Sequence, residues 1–124
     1  MSPIKRCFFV IALLVFGVYW PAAGAMGASA KDNYRTYCAQ CHGFMGNGQG
    51  INVRDMSVQP RNHTDASYMS SRSDQDLFDA DKKGGLAIDK SVLMPPWGST
   101  LSDKEIHDMV QYLRVLCHCQ SGNQ

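Results

Sequence analysis

Cys38, Ala39, Gln40, Cys41 and His42 constrain this chain more than any other five residues. Residues three apart on a helical turn share a face, so both thiols project to one side and the histidine follows one step further round. Thiols at that spacing can each form a thioether with a vinyl group on one edge of a haem. The His42 imidazole can then come beneath the iron as proximal ligand. The second nitrogen of a metal-bound imidazole is ordinarily held by a backbone carbonyl. The expected source is the loop Gly43 to Gly50, where four glycines in eight residues exclude regular structure. Two other chemistries use paired cysteines. A structural zinc needs two more ligands, for which Cys117 and Cys119 are the other pair. A thioredoxin-like couple expects a βαβ setting.

The start of the chain bears on that choice. Lys5 and Arg6 precede an apolar run of fourteen residues, Cys7 to Trp20, and then small residues from Pro21 to Ala30. This order is that of a secretory signal peptide. Ala23-Gly24-Ala25 and Ala28-Ser29-Ala30 both offer a cleavage site. Residues 1–30 are therefore expected to be a leader, cleaved after Ala25 or Ala30, with residues 31–124 as the mature domain. A span needs roughly 20 apolar residues, so no stable membrane insertion is expected after cleavage. An uncleaved leader would leave an anchored protein instead. The expected location is periplasmic, where thiols tend not to persist. For Cys117 and Cys119, an internal bridge, a bridge to a second copy or partner subunit, and free, metal-bound or haem-ligating thiols all stay open.

Without Lys5 and Arg6, ten Lys and Arg face eleven Asp and Glu. That balance offers no basic surface for nucleic acid. A domain of roughly 95 residues buries a modest core, and a covalently held cofactor would help it fold.

Periodicity predicts three main helices. The first runs from about Ala30 to Cys41, with Ala30, Tyr34, Tyr37 and Cys41 at helical spacing. The second starts at Ser73, with Asp76 three residues on, and stops at Gly84-Gly85. The third opens on a capping box of Ser102 and Glu105 and carries the stripe Ile106, Met109, Val110, Leu113 and Leu116. Residues 51–69 read as irregular, 86–101 as a loop, and no strand is expected. Loops this long in an all-α domain need something to wrap. The second loop holds Met94-Pro95-Pro96-Trp97, in which the prolines stiffen a strap that could carry the Met94 sulfur to an iron as distal ligand. Met109 belongs to the core stripe, and Met56 and Met69, in polar surroundings, are weaker candidates.

Cys38, Cys41 and His42 near the mature start, with Met94-Pro95 late in the chain, resemble the soluble class I cytochromes c of bacteria, from about residue 30 to residue 116. The resemblance implies an all-α fold of about three helices with long loops around one covalent haem c. It implies Cys38 and Cys41 as thioether residues, and His42 and Met94 as iron ligands. Pro60 and Arg61 resemble the family's propionate loop, so Arg61 and Trp97 are candidate propionate contacts; a solvated loop charge is the alternative for Arg61. Ala30 and Tyr34 look like the pair that crosses the last helix, here near Tyr112 and Leu113. His63 and His107 have no place in that pattern and are expected at the surface. Asp81 departs from it, standing four residues after Leu77 where an aliphatic is usual, and so does the Cys117-His118-Cys119 tail.

The implied function is a periplasmic electron carrier, not an enzyme, docking transiently on redox proteins. The alternatives are the haem subunit of a periplasmic oxidoreductase, or a cytochrome that binds nitric oxide or carbon monoxide at a labile distal site.

Overall fold

A helical run opens the part of the chain, residues 28–122, that the computed structural model describes. The expected leader's basic start, Cys7, apolar run and Ala25 lie outside the described residues. Helix α1 (Ala30–Asn33) is capped by Ser29, whose hydroxyl accepts the Asp32 N–H. It widens into a π-helical turn, Tyr34–Cys38, then narrows to α2 (Ala39–His42). A regular helix is what the spacing predicts here. The wide turn ends on the first motif cysteine, and such turns often sit at functional sites. Gly43, at φ +79°, stops α2. The Gly48 and Gly50 N–H groups then return to the carbonyls of His42 and Cys41 at 2.8 and 3.0 Å, folding the loop back over the helix end.

The stretch expected to be irregular holds a 3-10 turn, Val53–Asp55, and a five-residue helix, α3 (Ala66–Ser70), capped by the Asp65 carboxylate. Helix α4 (Asp74–Lys83) has its predicted capping box from Ser73 and Asp76 and ends at Gly84, φ +81°. A further 3-10 turn, Gly85–Ile88, begins the second long loop. Helix α5 (Asp103–Cys117) carries the box of Ser102 and Glu105. The described residues form helices and loops with no strand.

Helix α5 is the spine. Its Met109, Leu113 and Cys117 bury against Tyr34, Ala39 and Met69, while Ile106 and Val110 bury against Phe78 and Leu101. Tyr34 meets Tyr112 edge-on, ring centroids 5.3 Å apart, where the first helix was expected to cross the last. Met69 is fully buried in this core, which corrects its reading as a residue in flexible polar surroundings. The polar neighbours Ser70 and Ser71 hid a helix that turns Met69 inward.

Arg114, which nothing in the periodicity singles out, is also buried. Its guanidinium bonds the Asp74 carboxylate at 2.8 and 2.9 Å, the Met69 carbonyl at 2.6 Å and the Arg72 carbonyl at 2.7 Å. One side chain thus ties α3 and the start of α4 to α5. At the end of α5, Cys117 forms an internal disulfide with Cys119, and the Gly122 N–H bonds the Ser70 carbonyl. In this state neither sulfur is open to a second copy or partner subunit. Nor can the two complete a zinc set with Cys38 and Cys41: among the described residues no cluster of three or more His, Cys, Asp or Glu could hold a metal ion. No described helix is long and apolar enough to cross a membrane.

Candidate functional site

Between α2, α3, α4 and the strap lies a cavity of about 460 Å³, within the range of cofactor pockets. Its position follows from the ends of helices. The last carbonyls of a helix have no partner within it. At the end of α4, Asp81 and Lys82 offer theirs to the Trp97 and Gly98 N–H groups, each at 3.0 Å, and the Gly85 N–H takes the Met94 carbonyl at 2.9 Å. The strap is stapled across α4 at both ends of its proline pair. Gly84 is required there, because a Cβ would come 2.9 Å from the Met94 carbonyl oxygen.

Cys38 and Cys41 are not bridged to each other and both line the cavity. Burial, with Asp81 and Cys41 nearby, pushes the Cys38 thiol up to about 12, so it stays neutral in the free chain. His42 is buried at the end of α2 and lines the same cavity. Its Nδ1 lies 2.8 Å from the Arg61 carbonyl oxygen. A carbonyl can only accept, so Nδ1 carries the proton and Nε2 keeps its lone pair. Burial lowers the His42 pKa, partly offset by that hydrogen bond. The ring is in the form a metal binds. The holding carbonyl is Arg61's, not one from the glycine-rich loop. In that loop the Gly46 carbonyl is already taken by the His63 N–H at 2.6 Å, and the chain after Pro60 passes beside the imidazole.

His63 corrects a second expectation. It is not a surface residue: its ring stacks on His42, centroids 4.1 Å apart and planes at 14°. The Tyr34 hydroxyl is 3.2 Å from its Nδ1. Burial, followed by the proximity of the His42 ring and the Arg61 charge, holds the His63 pKa well below its ordinary value, and burial raises that of Tyr34. Tyr34 therefore donates and neutral His63 accepts. No periodic signal marks a histidine in a polar loop as a packing partner; only the loop's path brings it there. His107 is exposed, as expected, and stacks on Phe78 at 4.4 Å.

Met94 is half-buried and lines the cavity, as do Met56 and the core residue Met69. Trp97 lines it too, tilted against Tyr37 at 5.1 Å. Arg61 is exposed at its edge with the guanidinium 3.9 Å from the centre of the Tyr68 ring. The structure adds Arg72, which sequence reasoning missed. It lines the cavity, shares the Tyr68 ring at 4.9 Å, and its buried Nε has no partner among the described residues. Asp81 points inward. Lys82 and Lys83 do not draw it out; they pair with Asp103 at 2.7 Å and Asp79 at 3.0 Å.

These residues fit a haem. Two free thiols lie beside a neutral imidazole, a thioether shares their cavity, and the unpartnered Arg72 Nε with the Arg61 guanidinium suits a pair of carboxylates. Imidazole with thioether is an established axial pair for haem iron.

A family model described as cytochrome C oxidase, cbb3-type, subunit III, matches residues 25–113. Among solved structures, the KustC0563 c-type cytochrome is similar at a TM-score of 0.58 and 21% identity, over 72% of this chain and 98% of that one. A point mutant of Kustc0563 gives 0.57 and 18%, over 72% and 99%. These two speak for the fold. A chain of the Kuenenia stuttgartiensis reducing HAO-like protein complex Kustc0457/Kustc0458 gives 0.56 and 26%, over 70% of this chain and 40% of that one. No curated protein matches.

Proposed function

The chain belongs to the family of c-type cytochromes described as cbb3-type cytochrome c oxidase subunit III, and on that footing we propose that it is a periplasmic electron carrier with a single haem c. In this reading Cys38 and Cys41 hold the haem as thioethers, and His42 and Met94 hold the iron. The observation that carries it is the hydrogen bond from His42 Nδ1 to the Arg61 carbonyl at 2.8 Å, in a cavity that also receives Cys38, Cys41 and Met94.

When bound, the haem supplies a one-electron couple, which His/Met ligation favours at relatively high potential. The chain's residues do the rest. Arg61 fixes the His42 tautomer through its carbonyl, and its guanidinium, with that of Arg72, balances the propionate charge at the cavity edge. Trp97 packs at the wall, and its indole N–H would be a donor for a propionate. Leu77 and Leu113 give the cavity an apolar lining, so little water would rearrange there when charge changes. Were His42 and Met94 both to hold the iron, no coordination site would be left for a substrate. Electrons pass to and from redox proteins that dock transiently.

Met94→Ala tests the reading. The ferric holoprotein should lose the weak near-infrared absorption of methionine ligation, and the ferrous form should gain carbon monoxide binding. An unchanged spectrum would transfer the distal role to Met56 or Met69. Carbon monoxide binding by the unaltered protein would favour a gas-binding cytochrome.

A second reading, the haem subunit of a periplasmic oxidoreductase, draws support from the likeness at 26% identity to a chain of the HAO-like complex. Co-purification at fixed stoichiometry from the native host distinguishes it from the free carrier.

A further inference from the structure

Asp81 is an ionisable group in the cavity wall for which the proposed function has no use. It sits in the last turn of α4, 8% exposed, and shares the cavity with Cys38, Met94 and Trp97. Its Oδ2 is buried with no hydrogen-bond partner among the described residues. An ionised carboxylate in that position is costly unless something nearby answers its charge.

Among the described residues no group answers it. On its own helix, Lys82 and Lys83 are engaged by Asp103 and Asp79, and Asp76 adds only a like charge at the cavity. From the first helical run, Tyr34 and Cys38 face it, both neutral. The packed turn Gly85–Ile88 has no titratable side chain; Asp89 and Lys90 follow it at the cavity wall. Helix α5 brings Asp103 and Arg114, which are paired with Lys82 and Asp74, and His107, which lies on Phe78. Across the cavity, Arg61 and Arg72 are drawn to the Tyr68 ring, and His42 and His63 are uncharged. Burial alone therefore governs the carboxyl and raises its pKa to about 7.

The one charge in this cavity that changes during electron transfer is the iron's. Adding an electron removes one unit of positive charge from a poorly screened site, and any carboxylate sharing that site then holds a proton more tightly. We propose that Asp81 is a proton-binding site coupled to the haem iron, so that the protein carries a proton with its electron. This rests on the electron-carrier reading above. One electron from a donor protein takes ferric iron to ferrous, and one proton from solvent forms an O–H bond on the Asp81 carboxylate. Oxidation by the acceptor releases both, and the cavity's net charge is the same in the two states.

The sign follows from linkage. The reduced form binds the proton more tightly, so removing protons disfavours reduction, and the midpoint potential falls as pH rises. Between the carboxyl's pKa in the oxidised form and its higher pKa in the reduced form, the redox equilibrium shifts up to about tenfold per pH unit, or about 59 mV for one electron.

The test is spectroelectrochemical titration of the holoprotein across several pH units either side of neutrality, on the natural chain and on Asp81→Asn. Infrared difference spectra between the two redox states of the natural chain accompany it. The potential of the natural chain should fall with pH, Asp81→Asn should lose that fall, and a protonated-carboxyl band should appear on reduction. A pH-independent potential, an equal slope in the variant, or no carboxyl band on reduction would overturn the proposal and leave the electron carrier standing. If Asp81→Asn does not fold, the infrared spectra of the natural chain decide alone. Absence of a reversible one-electron couple would overturn both.

Discussion

His42 is held from two directions, by the Arg61 carbonyl along its Nδ1 and by the His63 ring across its face. His63 is in turn held by Tyr34, so a residue of the first helical run reaches the His42 ring through one intermediary. That arrangement is open to a double-mutant cycle. His63→Phe keeps an aromatic ring against His42 but leaves the buried Tyr34 hydroxyl without a partner, which should cost about 1–3 kcal/mol in urea unfolding. Tyr34→Phe added to that variant should cost little more, because the orphaned hydroxyl is gone. Strictly additive losses would mean that the Tyr34 bond to His63 contributes nothing. Cys38, Cys41 and His42 were legible together because their spacing places them on one helical turn. His63 was not, because stacking depends on where a loop runs.

At the scale of elements, the two capping boxes and the apolar stripe of α5 were legible because each is a local pattern. The five-residue α3 was not. Helices that short are unstable alone and form only when tertiary contacts hold them. Here Arg114 supplies one such contact, bonding the Met69 carbonyl at the end of α3 together with the Arg72 carbonyl and Asp74. Arg114→Met retains much of the apolar packing and removes every one of those bonds. It should cost about 2–4 kcal/mol by denaturant unfolding, and Arg114→Lys should recover only part of that, since an ammonium cannot reproduce the planar fork. A variant as stable as the parent would show that the guanidinium does not join α3 to α5.

The described residues hold two small clusters of core residues, joined along α5, with a cavity between α2, α3, α4 and the strap. A domain of this size has little apolar burial to spare. Anything bound in the cavity stabilises the folded state by its own binding free energy. Cys38→Ala with Cys41→Ala should therefore produce a chain that keeps much of its far-ultraviolet circular dichroism but melts broadly and far below the parent. A sharp transition at the parent's temperature would show that the protein core suffices without attachment. The internal disulfide and the Gly122 bond to Ser70 tuck the tail against α3, so residues 117–122 belong to the fold and not to a loose extension.

The sequence alone determined the helical class, the second and third helix starts, the clustering of Cys38, Cys41 and His42 on one helical turn, and the proline-stiffened strap that carries Met94. These rest on interactions between residues a few positions apart, which spacing encodes directly. Tertiary structure decided that Arg61 supplies the carbonyl to His42, that Arg72 joins Arg61 on the Tyr68 ring, that Met69 is core, and that His63 lies against the His42 ring. It also decided that Asp81 faces the cavity while its neighbouring lysines face away. Each of these depends on contacts between segments far apart in the chain, where a residue's type says what it can bond but not what will come within reach.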